Sequence, residues 1–214
     1  MNEGIRFDLA YETMPWHEVD AVVFDIGNIL IYFAPDNFIE TLFPGDREKQ
    51  EHMLSVVYRG NQWPRLDRGV LTCEEAAREL EKEYGGRYED YLHAFMGWIE
   101  LKTPLEEGWR TAQRCKQEGK KLYLLSNYPQ KGYERLREKF ADRFAIFDRA
   151  VVSCYLHQMK PEKEIYQTLI DTCGIEPSRT VFVDDRLENV QGAMQMGIHG
   201  FHMHEKGMMD RFFL

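Results

Sequence analysis

The 214-residue chain has no Cys-x-x-Cys pair, no block of Lys and Arg, and no long apolar run. Its four cysteines (Cys73, Cys115, Cys154 and Cys173) are widely spaced in apolar or helical contexts, which reads as buried free thiols in a reducing compartment. A net charge of −9 without a basic stretch argues against nucleic acid or an anionic membrane as the main partner. It leaves room for a small anion in a local basic pocket. Met1 to Asp20 lacks the apolar core of a signal peptide, and no stretch reaches the ~18 apolar residues of a membrane-spanning helix. There is no internal repeat and no low-complexity segment. The expectation is a cytoplasmic enzyme or binding protein, with no nucleic acid and no membrane as partner. A hydrophobic content of 43% supports one sizeable domain, or a domain with a smaller insert.

What the chain does have is Ala21-Val22-Val23-Phe24-Asp25-Ile26-Gly27-Asn28-Ile29-Leu30. A short, β-branched and aromatic run ends in one aspartate and turns through Gly27 and Asn28. Such a run reads as a strand buried on both faces. A carboxylate just beyond it sits at the rim of a sheet, where α/β proteins place their chemistry.

From Pro35 to about Thr103 the pattern is helical and no strand signal appears. Thr72-Cys73-Glu74-Glu75 spells a capping box, and Gly85-Gly86 stops the helix it opens. A four-helix insert is the simplest account. From Pro104 onward, strands alternate with helices. Strands are expected at 121–125, 150–152, 180–183 and 198–203, with helices at about 105–118, from Pro129, from Lys160-Pro161, and at 187–196. A short helix is expected to close the chain. Alternation of this kind implies a parallel sheet with right-handed crossovers. The expected fold is therefore α/β: a Rossmann-like, doubly wound parallel sheet formed by residues 1–34 and 103–214, with a helical cap domain at 35–102.

All strand C-termini of a parallel sheet lie on one edge. Asp25, Ser126, Asn127, Asp184 and Asp185 each follow a strand directly, and Lys160 lies between a strand and a helix. Singly, each has a plainer reading. Ser126-Asn127 and Asp184-Asp185 can cap helices, and Lys160-Pro161-Glu162 can be a solvated helix start. Together they make a coherent set. Three carboxylates in one cleft raise one another's pKa unless compensated. Lys160 compensates one charge, and Mg²⁺ suits the rest. The set fits a phosphate monoester, with Asp25 attacking phosphorus to form an aspartyl-phosphate. Ser126, Asn127 and Lys160 would hold the equatorial oxygens.

In four segments the sequence resembles the haloacid dehalogenase superfamily: Phe24-Asp25-Ile26-Gly27-Asn28, Leu125-Ser126-Asn127, Lys160-Pro161, and Val183-Asp184-Asp185-Arg186-Leu187-Glu188-Asn189. The helical insert looks like that family's C1-type cap. The resemblance implies Asp25 as nucleophile, with Asp185 and the main-chain carbonyl of Gly27 as further Mg²⁺ ligands. It also implies Asp184 and Asn189 as supporting groups. The Asp-Ile/Leu-Gly-Asn first motif resembles a subgroup assigned as sugar-phosphate phosphatases, so the expected partner is a small phosphorylated metabolite.

One departure matters. Family phosphatases usually carry a second Asp two residues after the nucleophile, as general acid/base; here that position is Gly27. Asn28 stands where the family usually has Gly, and Asn tolerates a left-handed turn. Two alternatives follow from the departure: a metal-independent dehalogenase-type C–X hydrolase, or a catalytically weak phosphate-binding protein. The Asp184-Asp185 pair favours a metal site over the dehalogenase. In the insert, Arg59, Trp63, Arg65 and Asp67 form a polar-aromatic stretch that either lines the substrate site or packs the insert's own helices. His199, His202 and His204 read as surface histidines.

Overall fold

The computed structural model describes residues 4–6, 13–205 and 207–209. A two-stranded antiparallel ribbon, β1 (Gly4–Arg6) and β2 (Thr13–Pro15), precedes the main sheet. The closing helix expected after Met203 falls mostly outside the described residues.

The central strand is β3 (Ala21–Phe24), buried at every position. It pairs in parallel with β4 (Lys121–Ser126) on one side and β6 (Thr180–Asp184) on the other. Beyond β4 lies β5 (Arg149–Val152), and beyond β6 lies β7 (His199–His202), giving the order β5-β4-β3-β6-β7. The chain builds outward from β3 to one edge, then returns to build the other. β3 and β6 therefore flank the switch point where such sheets open a crevice at the strand C-termini.

Helices cover both faces, as expected of a sheet buried on two sides. Val22 and Phe24 pack in one cluster with Trp109 and Ala112 of α6 (Glu106–Gln117) and Leu136 of α7 (Gln130–Lys139). Ala21 and Val23 pack in a second cluster with Ile165, Tyr166 and Leu169 of α10 (Lys163–Cys173) and Ala193 of α11 (Leu187–Met194). Adjacent residues of one strand thus serve opposite layers. Two single-turn helices, α8 (Ala141–Phe144) and α9 (Ser153–Leu156), follow α7 and β5. α7 begins one residue after Pro129, and α10 begins at Lys163, after an extended Glu162 rather than at Pro161.

Between β3 and α6 the described chain forms five α-helices, not the four helices expected: α1 (Pro35–Leu42), α2 (Arg47–Met53), which a wider π turn (Leu54–Tyr58) continues, α3 (Gln62–Asp67), α4 (Cys73–Tyr84) and α5 (Tyr88–Met96), which a 3-10 turn (Gly97–Ile99) continues. α4 carries the full capping box: Glu75 N–H donates to Thr72 Oγ1 at 3.2 Å, and Thr72 N–H donates to the Glu75 carboxylate at 2.9 Å. Gly85, at φ +74°, ends it. The additional helix is α3. It has six residues, too few for a period to show, and is held by tertiary contacts of Leu66 and Asp67.

The two chain segments that leave and re-enter the sheet run side by side. Tyr32 N–H donates to Thr103 O at 2.9 Å, and Leu105 N–H to Leu30 O at 2.8 Å. α6 lies on this junction, where Trp109 Nε1 donates to Leu30 O at 2.7 Å. The approach requires Gly108, because a Cβ there would lie 1.9 Å from Ile29 O. Gly108→Ala should therefore destabilise the fold by ~1–3 kcal/mol through overpacking, despite the ~1 kcal/mol that Ala gains in a helix. Urea titration checks this; an unchanged midpoint would show that the junction yields freely.

Candidate active site

Asp25 N–H donates to Val183 O at 2.9 Å, continuing the β3–β6 ladder one residue past β3. That bond fixes the Asp25 carboxylate at the rim, beside the end of β6. Asp184 is the last residue of β6 and fully buried. Lys160 enters from the loop before α10, and its side chain is 1% exposed. Its ammonium donates to Leu125 O at 3.0 Å and to Asp184 Oδ2 at 2.6 Å, and lies 2.9 Å from Asp25 Oδ1. Burial works against its charge, but Asp184 and Asp25 outweigh burial and hold its pKa above the usual lysine range.

Asp184 is saturated. Oδ1 accepts from Arg186 N at 2.8 Å and Asn189 Nδ2 at 3.0 Å; Oδ2 accepts from Lys160 and, at 3.1 Å, from Asn189. Burial pushes its pKa up, Lys160 draws it back, and Asp25 adds to the rise. Asn127 does not cap a helix. Its amide clamps the Lys160 main chain, donating from Nδ2 to Lys160 O at 3.0 Å and accepting Lys160 N–H at 2.9 Å. Ser126 is buried at the end of β4.

The turn after Asp25 forms the far wall. Asn28 adopts φ +53° and uses both ends of its amide. Nδ2 donates to Asp185 Oδ2 at 2.9 Å, and Oδ1 accepts Phe33 N–H at 3.1 Å. Asp185 is raised above the usual carboxylate range by burial and by Asp25. Oxygens of Asp25, Asp184 and Asp185 lie within 4.8 Å of one another. Three carboxylates around one ammonium fit a divalent cation, and the saturation of Asp184 leaves Asp25 and Asp185 as the donors better placed to face it. Gly27 is not in the left-handed region, and a Cβ on it would sit 3.9 Å from Asp25 Oδ2, in open contact. His202 lies nearer the site than a surface histidine, its Nε2 donating to Asp185 O at 3.1 Å.

The helical insert closes over these groups. Phe33, Trp63 and Trp98 form an aromatic wall, with Trp63 4.8 Å from Tyr58 between ring centroids and Trp98 5.7 Å from Tyr128. Of the insert residues singled out in the sequence, Arg65 is spent within the insert, bidentate on Glu79 at 2.6 and 3.0 Å. Trp63 joins the aromatic wall, and Asp67 is buried against the site. Burial, with Asp25 adding, pushes Asp67 up to about 7 against the pull of Lys160 and Arg186.

Two groups had no sequence signal. Lys102 is buried with its ammonium 4.2 Å from the Phe33 ring centre and 4.3 Å from that of Trp98; burial pulls it down to about 6 while Asp25 draws it up. Tyr128 is buried with an unpartnered hydroxyl.

Residues 19–197 match the family model of haloacid dehalogenase-like hydrolases. A drimenol cyclase of Aspergillus calidoustus is 25% identical over 196 residues, covering 90% of this chain and 35% of that protein. The chain thus spans about a third of that relative's length. A sesquiterpene phosphatase of Aspergillus oryzae is 24% identical over 183 residues, covering 86% of this chain and 89% of that one. A haloacid dehalogenase family enzyme of Bacteroides thetaiotaomicron, solved with magnesium and inorganic phosphate, superposes with a TM-score of 0.70 at 19% identity, covering 88% of this chain and 95% of that one.

Lys160→Met tests the buried charge arrangement. Removing one partner of such a pair costs ~3–5 kcal/mol. Without the ammonium, the raised pKa of Asp184 climbs beyond about 7. A group whose pKa is raised by folding keeps its stability at low pH and loses it as pH rises through the folded value. The melting temperature of Lys160→Met should therefore fall sharply at pH 8 and much less at pH 5. Equal losses at both would show that Asp184 does not carry the penalty.

Proposed function

The chain belongs to the haloacid dehalogenase-like hydrolase family, and from that premise we propose that it is a Mg²⁺-dependent phosphatase. It cleaves a small phosphate monoester in the cytoplasm through an aspartyl-phosphate on Asp25. The observation that supports this best is the grouping of Asp25, Asp184 and Asp185 around Lys160 at the sheet's switch point. Mg²⁺ would be held by Asp25, Asp185 and the Gly27 carbonyl, and would supply charge compensation between carboxylate and phosphate dianion.

The chain's own groups do the rest. Lys160, held by Asp184 and Asn127, lies 2.9 Å from Asp25 Oδ1 and fixes that carboxylate at the rim. Lone-pair attack by Asp25 on phosphorus displaces the alcohol oxygen, and water then cleaves the acyl phosphate. The Asn127 amide is occupied by Lys160, and the Lys160 ammonium by Leu125 O, Asp184 and Asp25, so direct hydrogen bonds to phosphate fall to Ser126 and to main-chain N–H groups at the rim, with Lys160 acting through its charge. Asn28 and Asn189 hold Asp185 and Asp184 in place. The helices of residues 35–102 act as a C1-type cap that excludes water.

The first-motif resemblance supports a sugar phosphate as substrate. The aromatic wall supports a second reading, a phosphate ester of an apolar alcohol, as does the likeness to a sesquiterpene phosphatase.

Phosphate release from hexose phosphates, pentitol phosphates, prenyl phosphates and p-nitrophenyl phosphate, with Mg²⁺ and with chelator, tests the proposal. Release should require Mg²⁺, and Asp25→Asn or Asp185→Ala should lower it by at least ~10³. Chelator-insensitive halide release from a 2-haloacid, with no phosphate release, would replace this reading by the dehalogenase one.

A further inference from the structure

Gly27 leaves the phosphatase reading without an agent to protonate the leaving alkoxide or to activate water. The missing function is worth ~10²–10⁴ in rate. A Cβ at 27 would point to within 3.9 Å of Asp25 Oδ2, so the space where an acid/base would stand is not filled from β3.

Another element brings a carboxylate under the influence of Asp25 and Lys160. Asp67 ends α3 in the helical insert, and that end of the helix is the insert's anchor on the sheet layer. Ser153 Oγ donates to Asp67 O at 2.5 Å, and Tyr128 N–H donates to the same Ser153 oxygen at 3.0 Å. Arg68 Nη1 donates to His157 O at 3.0 Å, and its guanidinium pairs with Glu162. Gly69 fits where a Cβ would lie 2.1 Å from Cys154 O. The backbone at 67–69 is therefore pinned directly above the ends of β4 and β5.

From that anchor the buried Asp67 side chain feels the charges of Asp25 and Lys160. Its Oδ1 is buried with no hydrogen-bond partner. The Tyr128 hydroxyl, which feels the charges of both Asp67 and Asp25, is buried and unpartnered too. An orphaned carboxylate oxygen in a dry site costs free energy unless something else uses it.

We propose that Asp67 is the general acid and base of the reaction, supplied by the helical insert in place of the residue that Gly27 lacks. The proposal rests on the phosphatase reading. In the first step an Asp25 oxygen lone pair forms the P–O bond as the P–O bond to the alcohol breaks. The departing electron pair takes the Asp67 proton, giving the alcohol and an Asp67 carboxylate. In the second step Asp67 removes a proton from water, and the water oxygen attacks phosphorus. The bond to Asp25 breaks with its electrons returning to the Asp25 carboxylate. Inorganic phosphate leaves, and Asp67 is protonated again.

The groups around Asp67 suit this cycle. Burial and the Asp25 charge favour its protonated form, while Lys160 and Arg186 oppose it, bringing it to about 7. The buried Tyr128 phenol feels both carboxylates and is held neutral by burial and by them.

The test compares Asp67→Asn with the wild-type full chain on two esters that differ in leaving group. An alkyl phosphate needs a proton on its leaving oxygen; p-nitrophenyl phosphate does not. The variant should lose ~10²–10⁴ in kcat/KM on the alkyl ester and much less on the aryl ester. With the aryl ester it should show a burst of about one nitrophenolate per site, then slow turnover, because the acyl phosphate has lost its base. In the wild type, kcat/KM for the alkyl ester should fall on the alkaline side, where the acid has lost its proton, and the variant should lack that limb. Because Asn removes a buried charge without a partner, the variant should melt at or above the wild-type temperature at pH 8. Asp67→Ser should repeat the split between esters. Wild-type rates on both esters, or equal losses on both without a burst, would overturn this inference alone. A wild-type chain that releases phosphate from neither ester would overturn the phosphatase reading, and this inference with it.

Discussion

Everything at the rim of this sheet is arranged around one buried ammonium. Lys160 spends its donors on Leu125 O and Asp184 while lying 2.9 Å from Asp25. An ammonium this deep is tolerable only because carboxylates surround it, and carboxylates this crowded are tolerable only because it is there. The neighbours exist to hold that arrangement: Asn189 and Arg186 N saturate Asp184, and Asn127 grips the Lys160 main chain on both sides. Three different strand ends are thereby tied to one charge. The sheet delivers them to the same edge, and the charge sets their spacing.

A second constraint comes from the helical insert. Its anchor at Asp67–Gly69 and its aromatic wall leave Asp25 8% exposed. Enclosure strengthens every electrostatic interaction inside, for good and ill. It explains why Asp67, Lys102, Asp184 and Asp185 are all displaced toward their neutral forms. On the proposed function, a phosphate dianion and its metal enter a site already short of compensating charge, so binding one favours binding the other.

Much of this was legible in the sequence. An apolar run ending in Asp25, and its echoes at Ser126, Lys160 and Asp184-Asp185, specify a parallel sheet with these polar groups gathered on one edge, because strand ends are where β-branched runs meet polar turns. The capping box at Thr72–Glu75 was equally legible, since its signal is local. What was not legible depends on contacts distant in sequence. α3 is too short to show a period and exists through its docking on α9. Asn127 looked like a cap before Pro129, yet its partner is 33 residues away. Arg65 looked available to a substrate and is held by Glu79 on the next helix. Lys102 is an ordinary lysine in sequence; only folding places it between two aromatic faces.

The paired junction at Tyr32–Thr103 and Leu30–Leu105 carries a further consequence. Both strands of the connection are bonded to each other, so any movement of the insert that keeps those bonds would be a swing about that seam rather than a slide or twist. A lid restricted to one swing is either seated or lifted. Its seat is made of Arg68 on His157 and Glu162, and Asp67 O on Ser153. A bound molecule too bulky for those contacts to form would leave the lid lifted and the site wet. Size would then be judged when the lid comes down, after the molecule has already entered.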